Sequence, residues 1–133
     1  MTTKNELLRE LFVENGLVKG EDTHDLKFGG RSMTIITRSG IEKIQFHNDI
    51  RVTFWVESIV PPDFVVIKAV AKKGDIIVES FGEASSNNTK QSYPVAMAEK
   101  RALARAVLKI AGFYKYGVFG EDESDDFKKE KAA

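Results

Sequence analysis

Four cationic side chains fall within ten residues in the second half of the chain: Lys100, Arg101, Arg105 and Lys109. Three of them follow one another at i, i+4 and i+8, and a helix of 3.6 residues per turn places them on one side. A row of guanidinium and ammonium groups can neutralise phosphates. The chemistry that these residues offer is therefore the binding of a polyanion.

Two aromatic side chains could add base stacking to this charge. Trp55 lies in a stretch of alternating polarity, and Tyr93 directly precedes the helical stretch. An exposed aromatic ring stacks on unpaired bases, although a helical cation row is often just a solvated face and a tryptophan is often a core residue. The candidate nucleic-acid-binding residues are Lys100, Arg101, Arg105, Lys109, Trp55 and Tyr93.

The chain offers little for catalysis. It has no cysteine, which removes disulfides, thiolate metal ligands and cysteine nucleophiles. His24 and His47 fall in predicted loops without an i+4 partner, and no metal-ligand spacing occurs. Gly29-Gly30-Arg31 is too short for a phosphate-binding loop. We therefore expect a binding protein rather than an enzyme, with no cofactor and no metal site.

The composition is typical of one soluble domain followed by an acidic tail. The 133 residues are 42% hydrophobic and 30% charged, and no apolar run approaches the ~20 residues of a membrane span. Twenty basic and twenty acidic residues cancel, but residues 119–133 hold six acids and three lysines, so residues 1–118 carry net +3. We expect one α+β domain over residues 1–118 and a disordered tail over residues 119–133. The absence of cysteine and of a signal-peptide core favours the cytoplasm and no membrane partner.

A long helix over residues 95–111 would position the cations. Pro94 suits its first turn and Gly112 suits its C-terminal cap. Seven apolar residues fall in one arc of the helical wheel, and the cation row forms a ridge on another side. The arc comprises Ala96, Met97, Leu103, Ala104, Val107, Ile110 and Ala111.

Two details of this helix depend on its neighbours. Ala98, Ala102 and Ala106 form a stripe of small residues, which predicts that another part of the chain approaches the helix backbone closely. Lys100 falls inside the apolar arc. It either snorkels past the end of the core or points into a groove between helix and sheet, where a phosphate could sit.

The N-terminal third is less regular. Thr3 and Glu6 have the spacing of a capping box, which predicts a short amphipathic helix over residues 4–15. The charged, glycine-containing residues 19–32 are interpreted as a loop. A β-branched run predicts a strand over residues 33–38. Residues 41–46 form either a second strand after a turn or a helical turn.

Three further strands are predicted, and their short connections make an antiparallel meander the simplest topology. They span residues 50–60, 64–72 and 76–83. The face with Trp55 would be exposed, and the next strand would add either Lys68 and Lys72 or its apolar residues, depending on the register. The predicted fold is α+β: an antiparallel meander with the long C-terminal helix and the short N-terminal helix packed on one face.

The long helix and the strand before it resemble the phage single-strand annealing proteins of the Rad fifty-two type. The matching residues are Leu103, Arg105 and Ala106 in a Leu-x-Arg-Ala element and residues 81–85 (Phe-Gly-Glu-Ala-Ser), within residues 50–115. The resemblance implies a non-enzymatic DNA recombination protein of phage origin, located in the host cytoplasm. Such proteins form homo-oligomeric rings that hold single-stranded DNA in a basic groove, anneal complementary strands and use no nucleotide cofactor.

Two other interpretations stay open. A double-stranded-RNA-binding domain also ends in three strands and an alanine-rich helix, but its basic cluster opens the helix, whereas residues 93–97 here carry no cation. A phage structural or interaction protein would carry the same helix with a merely solvated ridge. The acidic tail with Phe127 is similar to the tails through which single-strand-binding proteins recruit protein partners.

Overall fold

The computed structural model describes residues 3–28, 30–60, 64–85 and 94–121. The elements are α1 (Lys4–Glu14), β1 (Thr23–Phe28), β2 (Arg31–Ile36), α2 (Arg38–His47), β3 (Arg51–Val60), β4 (Phe64–Lys73), β5 (Ile76–Ala84), α3 (Pro94–Ile110), a 3-10 turn (Tyr114–Tyr116) and β6 (Phe119–Gly120). The strands form two sheets, ordered β1-β2-β6 and β3-β4-β5. The fold is α+β, as predicted.

Strands β3, β4 and β5 form the predicted antiparallel meander. Trp55 pairs with Lys68, and Lys68 pairs in turn with Phe81. Since directly opposite residues share a face, Lys68 and Lys72 lie on the same face as Trp55. This register decides the question that the sequence left open. A β-bulge interrupts the β3–β4 pairing between Val56 and Ser58.

Helix α3 packs on the other face of the meander, and the packing is close enough to bring two backbones together. A Cβ atom at Gly82 of β5 would overlap the Ala98 carbonyl oxygen and the Ala102 amide nitrogen of α3. Ala98, Ala102 and Ala106 are completely buried. The predicted close approach to the small-residue stripe is confirmed, and the approaching segment is β5.

The remaining core joins α3 to the other helices. Ile36, Ile41 and Ile44 are buried in the same cluster as the apolar arc of α3. The Phe12 ring of α1 stacks on Phe113 just after α3, with centroids 6.0 Å apart. The capping box that starts α1 is present, with both reciprocal hydrogen bonds made. Gly112 has a φ of +85°, as a C-terminal cap requires.

One prediction for the N-terminal third is wrong, and one open alternative is decided. Residues 19–32 are not simply a loop, because β1 and the start of β2 form an antiparallel hairpin there. The polar residues of β1 obscured it, since charged side chains are depleted in strands. Residues 41–46 belong to α2 rather than to a strand, so the helical alternative is correct. The Thr37 hydroxyl caps α2 by accepting from the Gly40 N–H.

The folded part continues past residue 118. Phe119 and Gly120 pair with Ile35 and Ile36 of β2 in parallel. The carboxylate of Glu121 accepts a hydrogen bond from the Arg38 N–H, 2.9 Å away, at the start of α2. The first three residues of the predicted tail are thus part of the fold. Residues 122–133, with Phe127, lie outside the described residues.

A buried carboxylate ties the segment before β1 to α2. Asp22 is fully buried and accepts from the Val18 N–H at 2.9 Å, the Ser39 hydroxyl at 2.6 Å and the Lys43 ammonium at 2.6 Å. Burial raises the pKa of Asp22, but hydrogen bonds from Lys43, Ser39 and Val18 outweigh burial and hold it below its ordinary 3.8. The hydrogen bond that the Lys43 ammonium donates to Asp22 also raises the pKa of Lys43 above its ordinary 10.5.

Replacing Gly82 tests the close approach of β5 to α3. Gly82→Ala should lower the free energy of unfolding by about 1–3 kcal/mol or more, because the added methyl has to displace helix backbone. Urea denaturation measures this change. Ser80→Ala on the same face of β5 is the matched control and should change the midpoint little. An unchanged midpoint in Gly82→Ala would contradict the packing.

The charge of Asp22 should appear in the pH dependence of stability. Its pKa is lower in the folded protein than in the unfolded chain, so the carboxylate stabilises the fold above about pH 3.8 and this contribution is lost as the pH falls through the folded pKa. Asp22→Asn should reduce stability at neutral pH and flatten its decline below about pH 5. Urea midpoints at stepped pH measure both effects. Asp75→Asn, in an exposed turn, should follow the unmodified protein. If the urea midpoint of Asp22→Asn changed with pH in parallel with that of the unmodified protein, the Asp22 carboxylate would not have this role.

Candidate nucleic-acid interface

The cation row of α3 lies along the outer edge of β5, and of its three side chains only Lys109 is exposed. Each side chain donates a hydrogen bond to a backbone carbonyl of that strand. The contacts are Arg101 Nη1 to Glu83 O at 2.8 Å, Arg105 Nη1 to Phe81 O at 2.8 Å, and Lys109 Nζ to Glu79 O at 3.3 Å. Carbonyls of alternate strand residues point the same way, so all three accept on the edge that faces away from β4.

The spacing of the row matches the spacing of the strand. Four residues of helix rise about 6 Å, and two residues of strand rise about 6.7 Å. Residue numbers increase along α3 as they decrease along β5, so the two elements run antiparallel. A cation at every fourth helical position therefore meets every second strand carbonyl. The i, i+4, i+8 pattern satisfies the unpaired edge of a sheet.

Arg101 and Arg105 are thereby committed to the fold. Arg101 is only 1% exposed. Arg105 also forms a bidentate ion pair with the Glu83 carboxylate, with N–O distances of 2.8 and 3.0 Å. The predicted ridge on another side of α3 from the apolar arc is present, and it lies against the edge of β5. The role of these residues in nucleic-acid binding stays a prediction. Because α3 lies so close to Gly82, long side chains beside the alanine stripe reach over the strand edge.

The remaining helix cation, Lys100, lines a groove. The groove has a volume of about 120 Å³ and lies between α2 and α3. The sequence allowed a groove between helix and sheet for Lys100, whereas this groove is lined by α3, by α2, by Ile36 of β2 and by Glu121. Arg38 lines it as a second cation, and Glu99 and Glu121 line it as acids. These four charges balance, so the groove has no net positive charge from its lining.

The outer face of the meander combines exposed rings with an ammonium group. Trp55 is 51% exposed and Phe81 is 46% exposed. Lys68 lies between them in the cross-strand register, with Nζ 5.6 Å from the Trp55 ring centroid, within cation–π range. Lys68 Nζ is also 3.5 Å from Glu57 Oε1. We call Trp55, Lys68 and Phe81 the outer row.

The sequence predicted part of this surface. It placed Trp55 on the exposed face and considered Lys68 as its neighbour, but Phe81 entered only as part of a resemblance. The available signal for Phe81 was the length of the turns that join β3 to β4 and β4 to β5, because turn length sets the register that places Phe81 beside Lys68 and Trp55. Tyr93, the other aromatic candidate, lies outside the described residues.

Comparison with protein-family models, with curated proteins and with solved structures finds no match to this chain. In the ranges that the structure describes, no helix has the length and apolar character needed to cross a membrane. Within the same ranges, no three His, Cys, Asp or Glu side chains are grouped so that they could hold a metal ion.

Removing Arg101 tests whether the cation row serves the fold. Arg101→Ala should lower the free energy of unfolding by about 2 kcal/mol, because it removes a charged, part-buried hydrogen bond and leaves the Glu83 carbonyl without this donor. Chemical denaturation measures the loss. Lys115→Ala, an exposed cation beyond α3, is the control. If Arg101→Ala kept full stability, the row would be free to bind phosphates instead.

Proposed function

We propose that this protein binds single-stranded DNA on the outer face of the β3-β4-β5 sheet and promotes the annealing of complementary strands, without enzymatic chemistry. The outer row is the observation that carries the proposal. Neighbouring strands lie about 4.8 Å apart, so the rings of Trp55 and Phe81 are held roughly 10 Å apart with the Lys68 ammonium between them. Each ring offers a surface for one base, and the ammonium offers a contact for the intervening phosphate.

The outer face is favoured over α3 because its aromatic rings are accessible. The guanidinium groups of Arg101 and Arg105 donate to β5, whereas both rings of the outer row are about half exposed. Helix α3 covers the opposite face, so the aromatic rings have solvent rather than core in front of them. Arg51 and Lys72 lie opposite each other farther along the same face and extend the charge toward one end of the sheet.

Annealing is a proposal that rests on the resemblance to the Rad fifty-two type proteins, and stacking supports it physically. A base stacked on an aromatic ring is held through its face, so its hydrogen-bonding edge stays available to a complementary strand. Stacking also accepts every base, which suits strand pairing without sequence preference. The same resemblance supports self-association, a phage origin and a place in the host cytoplasm.

The single tryptophan allows a direct test of binding. Trp55 is the only tryptophan of the chain, so a base stacking on it should quench the intrinsic fluorescence. Titration with an oligothymidine should give quenching that saturates at micromolar concentration or below in low salt, and added salt should weaken the affinity. Phe81→Ala should weaken binding by about tenfold, since a stacked base contributes about 1–3 kcal/mol. Lys68→Ala should weaken binding and reduce its salt dependence, since it removes a phosphate contact.

Matched controls separate the outer row from exposed residues in general. Phe46→Ala removes a phenylalanine that is 91% exposed on α2, and Lys4→Ala removes an exposed lysine on α1. Both should keep full affinity, and strand pairing monitored with two labelled complementary oligonucleotides should slow only in the outer-row variants. No binding to any nucleic acid at low salt would leave the interaction-protein interpretation. A preference for duplex RNA would favour a double-stranded-RNA-binding module.

A further inference from the structure

The meander has one open edge. β3 is an outer strand of its sheet, and within the described ranges no strand pairs with its far side. Helix α3 packs mainly over β4 and β5, which leaves apolar side chains of β3 uncovered. Phe54, Val56 and Ile59 are each more than a third exposed, and Val56 is 57% exposed. A long, apolar, unpaired strand edge is a template for pairing with another strand.

The two edges of this sheet are not equivalent. At the β5 edge, carbonyls of Glu79, Phe81 and Glu83 already accept hydrogen bonds from α3 side chains. An incoming strand would have to displace buried Arg101 and the ion-paired Arg105. Head-to-tail addition of one copy's β3 to another copy's β5 is therefore blocked. The available strand pairing between two copies is β3 with β3.

We infer that two copies of this chain associate through antiparallel pairing of their β3 edges, which makes one six-stranded sheet. A two-fold axis beside Phe54 places Arg51 of each copy opposite Glu57 of the other. The same register sets Val52 opposite Val56 and Phe54 opposite Phe54, and it places the exposed apolar groups of both copies in one continuous strip. The charged pair occurs twice, once at each end of the contact.

Charge complementarity selects this register. In a symmetric pair, outer-face side chains of one copy lie opposite outer-face side chains of the other only when the two-fold axis lies beside a residue. The register can therefore change only in steps that move the axis from one residue to the next. Moving the axis to Thr53 would set Arg51 opposite Trp55, and moving it to Trp55 would carry the pairing past the β-bulge between Val56 and Ser58. Only the Phe54 register pairs Arg51 with Glu57. Glu57 is the residue that the β3–β4 pairing skips at the β-bulge, and its carboxylate lies 3.5 Å from Lys68 Nζ of its own chain, so Arg51 of the other copy would join an existing ion pair.

This association closes at two copies. Each copy uses its one open edge against the same edge of the other, so the contact is self-complementary and no further strand can join. The outer faces of the two sheets become one surface, with the two Trp55 side chains on diagonal positions about 7–8 Å apart. The inference does not rest on the proposed function, because the β3 backbone edge and the Arg51–Glu57 contact make the pairing, and none of the three outer-row residues takes part in that contact.

Particle mass and a charge exchange test the pairing. Light scattering should give twice the 14.9 kDa chain mass. Arg51→Glu and Glu57→Arg should each weaken the dimer by about tenfold or more, because each places like charges opposite one another at both ends. The double variant Arg51→Glu/Glu57→Arg restores opposite charges and should recover the dimer. If the double variant formed as weak a dimer as the single variants, the register that sets Arg51 opposite Glu57 would be wrong.

A second variant tests the edge itself. Phe54→Lys places a charge on the axis and should give a monomer, with the circular dichroism spectrum of the folded chain. Ile77→Lys, at a residue that is 60% exposed on β5, should leave the dimer intact. A monomeric unmodified protein at the highest soluble concentration would refute the inference. A ring-sized particle that Phe54→Lys does not disturb would also refute it. DNA binding is measured separately by retention of a labelled oligonucleotide, because Trp55 lies beside the seam and its fluorescence would respond to pairing as well, so the two proposals fail independently.

Discussion

The close approach of α3 to β5 at Gly82 is the contact on which the rest of the structure depends. Helix and strand backbones come together there because neither side has a bulky side chain: glycine on β5 faces Ala98 and Ala102 on α3. A helix held this near to a strand cannot place its flanking long side chains between the two elements. Those side chains extend over the strand edge instead, where the outward carbonyls of β5 accept their hydrogen bonds.

Because of that contact, the two edges of the meander differ from each other, and so do its two faces. One face is covered by α3, and the other carries the outer row. One edge is closed by Arg101, Arg105 and Lys109, and the other is the open β3 strand. The same cations that give the sequence its basic character are used to protect a sheet edge. Polyanion binding and self-association are therefore proposed for surfaces that α3 does not occupy.

The N-terminal third and the end of the described chain hold the other side of the core. Asp22 accepts three hydrogen bonds and fixes α2 against the segment before β1, with its pKa lowered as a consequence. β6 returns to pair with β2, and Glu121 then reaches the first N–H of α2. The long-range pairing with β2 explains why β6 carried a weak local signal, because its partner lies far earlier in the chain. The β1–β2 hairpin pairs locally, and the polar residues of β1 obscured it.

The sequence by itself determined the elements whose signals are local. Pro94 and Gly112 bound α3, the Thr3–Glu6 capping box starts α1, and the alternation around Trp55 with short turns predicts the meander. The alanine stripe even predicted a close backbone approach. Each of these signals depends on the conformation of a few neighbouring residues, which is why it can be interpreted without the rest of the chain.

Only the tertiary structure decided what the cations do. A helical wheel gives the direction in which Arg101 leaves α3, but its hydrogen-bond partner is Glu83, eighteen residues away on another element. The distance between helix and strand, set by Gly82, determines whether that side chain meets solvent or a carbonyl. Likewise, the strand register determines that Lys68 stands between Trp55 and Phe81. Distance and register arise from packing many elements together, so no local pattern of residues contains them.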